Sequence, residues 1–120
     1  MAEQDECRVM YKICPAKDWE EAKNKGEYCG SGVDHDDGFI HFSTKETLVV
    51  TAEKFFAGKE GLVIVSVDCD KVRDIIKWEP ARSGILFPHL YVPLPLEAVN
   101  WCEPLPLDQE GKHVFPNNIF

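Results

Sequence analysis

Asp36-Asp37-Gly38-Phe39-Ile40-His41-Phe42-Ser43-Thr44 is the stretch around which this chain is organised. Gly38 breaks what precedes it, and aromatic and β-branched residues follow, the composition of a pleated, half-buried surface. The spacing predicts a short strand over residues 39–43 that runs straight into a helix. Side chains alternate across a strand, so Ile40 and Phe42 share one face while Phe39, His41 and Ser43 share the other. A histidine and a hydroxyl on one face of a strand end begin a site, for which the rest of the chain must supply partners.

Downstream, Ser43-x-x-Glu46 has the capping-box form that satisfies orphan amides at a helix start. Leu48, Ala52, Phe55 and Phe56 then recur at helical intervals until Gly58 and Gly61 close the element. Residues 62–67, Leu-Val-Ile-Val-Ser-Val, read as a central strand covered on both faces. Residues 75–79 and 98–102 read as further strands. Between them, residues 84–95 carry Pro88, Pro93 and Pro95, which lack a backbone donor and place the segment at edges and loops.

Upstream, residues 8–13 alternate as a first strand. Pro15 permits a helix to begin, Asp18-x-x-Glu21 repeats the capping-box spacing, and Gly26 is placed to end the helix. Residues 27–37 form a loop rich in Gly and Asp, with Tyr28 as its large aromatic. Residues 1–7 read as a flexible tail and residues 8–120 as a single domain. Two helices among five or six strands define a small α+β domain with a mixed or antiparallel sheet. From residue 103 onward, Pro104, Pro106 and Pro116 carry the chain out in extended form, to dock on a partner or pack on its own domain.

The 120 residues include 21 acidic and 13 basic side chains, a formal net charge of −8. That balance argues against a broad grip on duplex nucleic acid, which needs Lys and Arg to neutralise phosphates. No run of about 18 apolar residues marks a membrane span. The acidic start, Met1-Ala2-Glu3-Gln4-Asp5-Glu6, is the opposite of a secretory signal, so a cytoplasmic protein is expected. Cys7, Cys14, Cys29, Cys69 and Cys102 are scattered without a C-x-x-C, which fits reduced thiols better than a disulfide framework or a structural zinc site.

His41 is the first candidate for chemistry, since imidazole is the side chain most easily poised near neutral pH. Ser43 and Thr44 read first as helix caps and second as ligand hydroxyls beside an anion-binding helix start, two roles that are compatible. His89 and Tyr91 stand between prolines that rigidify their segment. Glu79, next to Trp78, is the candidate general acid or base, because burial beside an indole raises a carboxyl pKa. Asp34, His35, Asp36 and Asp37 beside two histidines invite a metal, but such acidic runs are usually solvated, and no metal is expected.

Tyr11-Lys12-Ile13, Trp19, Tyr28, the octapeptide 37–44, Trp78-Glu79 and Phe87-Pro88-His89-Leu90-Tyr91-Val92-Pro93-Leu94 together resemble the DUF952 family, over residues 9–99. That family has no settled activity but is grouped by fold with the ADP-ribosyltransferase superfamily. The resemblance implies a split sheet and a cleft lined by His41, Ser43, Thr44, His89 and Tyr91. It implies a nucleotide or other phosphorylated small molecule there, with NAD as a candidate cofactor and glycosyl- or ADP-ribosyl-type group transfer as the chemistry. The superfamily's first strand often carries a His that touches ribose, and Lys12 stands at that place here. The competing expectation is a non-catalytic module that keeps the fold and binds a ligand or a partner protein.

Overall fold

A computed structural model describes residues 8–81, 84–117 and 119, so the expected tail at 1–7 lies outside the described residues. In chain order the elements are β1 (Val9–Pro15), α1 (Ala16–Lys25), β2 (Glu27–Tyr28), α2 (Val33–Asp37), β3 (Ile40–His41), α3 (Leu48–Phe55), β4 (Leu62–Asp68), β5 (Ile76–Pro80), β6 (Leu86–Leu90), β7 (Leu94–Pro95) and β8 (Val99–Pro104). They build three sheets, ordered β1-β4-β8, β3-β6-β5 and β2-β7. Every pairing is antiparallel. The result is a small α+β domain, antiparallel rather than mixed. A third helix joins the two expected ones, because residues 33–37 coil into the short α2.

β4 is central, between β1 and β8, and is covered on both faces as its apolar run requires. On one face Met10, Cys14, Val65 and Val67 pack with Trp19, Ala22 and Tyr28, with Ile40 and Leu90 of the second sheet, and with Phe42 just beyond β3. On the other face Tyr11, Ile13, Leu62 and Ile64 pack with Leu48 and Ala52 of α3, and with Leu105 and Ile119. The proline-rich end of the chain therefore lies on its own domain. Full burial of each such Leu or Ile is worth about 1.5–3 kcal/mol, enough to hold it there. No helix of the described residues is long and apolar enough to cross a membrane.

The first helix begins just after Pro15 as expected, but neither capping box forms and the second start is displaced. α1 begins directly after Pro15, whose side chain makes no cap bond, so Asp18 falls within the first turn, where its charge faces the positive end of the helix. Gly26 does end α1, at φ +96° with its amide on the Ala22 carbonyl. α3 begins only at Leu48. Ser43 cannot cap it, because Ser43 and Tyr11 exchange both backbone hydrogen bonds at 2.8 Å and the chain is still extended there.

The segment 84–95 is a larger departure. Its first half is β6, the central strand of the second sheet, with Pro88 fully buried in the middle. The Pro88 carbonyl accepts the Phe42 amide at 3.1 Å, so the missing N–H of Pro88 falls on the β3 side. β3 ends at His41, one residue short of Phe42, and no ladder bond to β5 is lost. A proline is tolerated in a central strand here because its neighbour stops beside it.

Candidate functional site

β1 and the segment after β3 touch at Tyr11 and Ser43, then diverge, and the gap is filled by side chains. The pair His41–His89 is the next one along the β3–β6 ladder after Phe42–Pro88, so by antiparallel alternation it is a non-hydrogen-bonded pair. The backbone N–H and C=O of His41 consequently point away from β6, toward the open edge of β3. There Asp34 Oδ1 accepts the His41 amide at 3.0 Å, and Lys12 Nζ donates to the His41 carbonyl at 2.9 Å. Lys12 Nζ also donates to Asp34 Oδ2 at 2.7 Å, and the Ser31 amide donates to the same oxygen at 2.9 Å. A buried ion pair thus stands in for the strand that β3 lacks on this side.

The same carboxylate takes the ring. His41 Nδ1 lies 2.6 Å from Asp34 Oδ1. Burial works against ionised Asp34, but the hydrogen bond from His41 and the Lys12 ammonium outweigh it and hold the carboxyl down at about 2. As an ionised acceptor it requires the proton on Nδ1, which turns Nε2 outward. Burial lowers the Lys12 pKa, with the Asp34 charge opposing the change. Outside, His41 Nε2 rests 2.9 Å from Oδ2 of Asp37.

The second histidine is built the same way from the opposite side. His89 Nδ1 is 2.7 Å from Glu79 Oε1, and the Tyr91 hydroxyl donates to Glu79 at 2.8 and 3.0 Å. Burial lowers the His89 pKa, against the Glu79 hydrogen bond that raises it, so near neutral pH the ring is neutral and its Nε2 carries a lone pair. The bonds from His89 and Tyr91 lower the Glu79 pKa, the opposite of the rise expected beside Trp78. The reason is alternation: Trp78 projects from the other face of β5, and Glu79 stays partly in water. Glu79 orients His89 rather than serving as a protonated acid.

His41 and His89 meet edge to face with ring centroids 5.2 Å apart. Phe39 lies against both, at 4.6 and 4.3 Å, and against Tyr91 at 5.0 Å. On the far side of Phe39 is a cavity of about 230 Å³, lined by Asp34, His35, Phe39, Tyr91, Val92 and Cys29 among others. The two imidazoles are not part of its lining. Phe39 is the partition between them and the cavity.

Four of the sequence candidates, His41, His89, Glu79 and Tyr91, are therefore together. Three are elsewhere. Ser43 is buried and donates its hydroxyl to Thr51 at 3.1 Å, and the Thr44 hydroxyl pairs with Thr47 at 3.1 Å, so neither faces the cleft. Lys12 sits behind Asp34, its ammonium spent on that carboxylate and on the His41 backbone carbonyl. Asp34, read from sequence as part of a solvated loop, is buried at the centre of the network. Lys12 was the available signal: an ammonium in an apolar strand demands a buried counter-charge. Among the described residues no three His, Cys, Asp or Glu side chains converge as metal ligands. Cys14 is inert, its thiol pushed up to about 12 by burial.

The family model for a protein of unknown function, DUF952, matches residues 13–102. The chain belongs to the DUF952 family. It is similar to protein CC0527 from Caulobacter crescentus: the X-ray crystal structure of that protein has a TM-score of 0.86 at 39% identity, covering 92% of this chain and 97% of that one. The solution NMR structure of CC0527 gives a TM-score of 0.77 at 41% identity, over 87% of this chain and 90% of that one. Comparison with curated proteins gives no match.

Proposed function

We propose that this face of the domain binds a nucleotide or related phosphorylated ribose compound. Its planar ring would enter the cavity against Phe39 and Tyr91, its ribose would lie over the rim at His89, and its phosphate would reach His41. The observation that carries this is the pair of facing imidazoles, each tied to a carboxylate through Nδ1, beside an aromatic-walled cavity. At about 230 Å³ the cavity is smaller than the roughly 300–1,000 Å³ of a whole ligand site, so it suits one ring and not a dinucleotide. The neutral His89 Nε2 suits a hydroxyl donor such as a ribose O–H.

Glycosyl- or ADP-ribosyl-type group transfer is the chemistry that best fits the charges. Cleavage of the bond between the base nitrogen and the ribosyl carbon leaves positive charge on the sugar, which the Glu79 carboxylate at the rim favours. Water, or an acceptor hydroxyl in its place, then bonds to that carbon, and its proton leaves with the base. An ADP-ribosyltransferase-like split sheet is part of the same proposal, supported by the divergence of β1 from β3 beside the site. With its ammonium spent on Asp34 and the His41 carbonyl, Lys12 would not serve as the ribose contact, and NAD would find that contact at His89. Cytoplasmic residence fits the four free cysteines among the described residues.

The test is a stability and calorimetry screen with NAD, ADP-ribose and mononucleotides on the wild type, His41→Ala and His89→Ala. A ligand at ~100 times its dissociation constant should stabilise the wild type by ~2.7 kcal/mol. Either variant should lose most of that effect, and mass spectrometry of bound samples should show release of a free base. Equal stabilisation of all three proteins would remove the site from this face. Binding without any base release would favour the non-catalytic module.

A further inference from the structure

Asp37 occupies the one ring atom of His41 that a ligand would use. Its Oδ2 lies 2.9 Å from Nε2, while Nδ1 is already committed to Asp34. Both carboxylates come from α2, three residues apart, so one short helix clasps the ring from both sides. The two arms differ in kind. Asp34 is buried and fixed by four contacts, whereas the Asp37 side chain is 48% exposed and has no polar partner other than His41 among the described residues. Asp37 is also the last residue of α2, followed by Gly38 at φ +85°, so its side chain can swing out without moving Asp34.

We propose that Asp37 is an internal competitor, whose carboxylate holds the position on His41 Nε2 that a ligand phosphate oxygen takes when it binds. This rests on the nucleotide-binding proposal and adds which atom meets the anion and what must leave first. A negative group at Asp37 both fills the contact and repels the incoming charge. Its removal should therefore strengthen binding of an anionic ligand, where removal of an ordinary contact residue would weaken it. Apparent affinity rises by the inverse of the fraction of molecules with the contact open.

Calorimetric titration of wild type and Asp37→Ala with adenosine, AMP and ADP-ribose tests this. The expected result is AMP and ADP-ribose bound about tenfold more tightly by the variant, a change of ~1.4 kcal/mol, with adenosine shifted by much less. Asp37→Asn, which removes the charge and keeps the shape, should give a smaller gain of the same sign. If wild type binds AMP and Asp37→Ala binds it equally or more weakly, the competitor is overturned while the site stands. If adenosine gains as much as AMP, the carboxylate obstructs the ring rather than the anion, and the proposal fails. If none of the three compounds binds either protein, the competitor and the nucleotide proposal fall together.

Discussion

The two carboxylate–imidazole pairs look alike in outline and differ in what surrounds them. Asp34 is 1% exposed and serves Lys12, the Ser31 amide, the His41 amide and the His41 ring together. Glu79 is 36% exposed and serves a ring and a phenol at the rim. The first pair closes the edge of a strand and joins two sheets, so it belongs to the fold before it belongs to any site. The second is held by a hairpin whose strands pair without it. The same dyad is thus structural on one side of the cleft and adjustable on the other.

The largest break in that symmetry should come from Asp34→Ala. It leaves the Lys12 ammonium buried without its partner and the His41 amide without an acceptor, a loss of about 3–5 kcal/mol. Urea denaturation should show it, and replacing both charges at once, as Lys12→Met with Asp34→Leu, should recover much of the loss. An Asp34→Ala protein as stable as wild type would mean that the gap between β1 and β3 tolerates a bare ammonium.

Acid should separate the two pairs next. The Asp34 carboxyl falls from its ordinary 3.8 to about 2 on folding. A depressed carboxyl contributes stability that is fully present above its unfolded value and is lost as pH falls through its folded one. That contribution is on the order of 2 kcal/mol and should disappear between about pH 4 and pH 2. The wild-type stability curve should fall steeply in that window, and the curve of Asp34→Asn should be flatter there.

Glu79→Gln should have the smallest effect on stability, leaving the denaturation midpoint near that of the wild type. Its signature is electronic. Without the negative charge, the bond to Glu79 no longer favours a protonated His89, which should titrate at lower pH by NMR. Tyr91, whose pKa is raised chiefly by its bond to Glu79, should ionise more easily in an ultraviolet titration. An unchanged His89 titration would show that burial alone sets its value.

Much of the frame was legible in the residues. β1, β4, β5 and β8 stand within a residue or two of where alternation and apolar runs put them, and Gly26 ends its helix as expected. β6 was hidden because a proline in a central strand breaks a sound rule, which fails here only because β3 stops beside it. The start of α3 was misplaced because Ser43 is recruited by Tyr11, a residue 32 positions away in the chain, over the local cap.

By itself the sequence determined the α+β class and the doubly covered central strand, which follow from periodicity and apolar runs, while the family resemblance pointed to a cleft with His41, His89 and Tyr91. Only the tertiary structure decided that Asp34 is a buried anchor, that Lys12 is its counter-ion, and that Phe39 stands between the imidazoles and the cavity. Those roles depend on which backbone groups a partnerless strand edge leaves unsatisfied. That edge exists only once the two sheets have met.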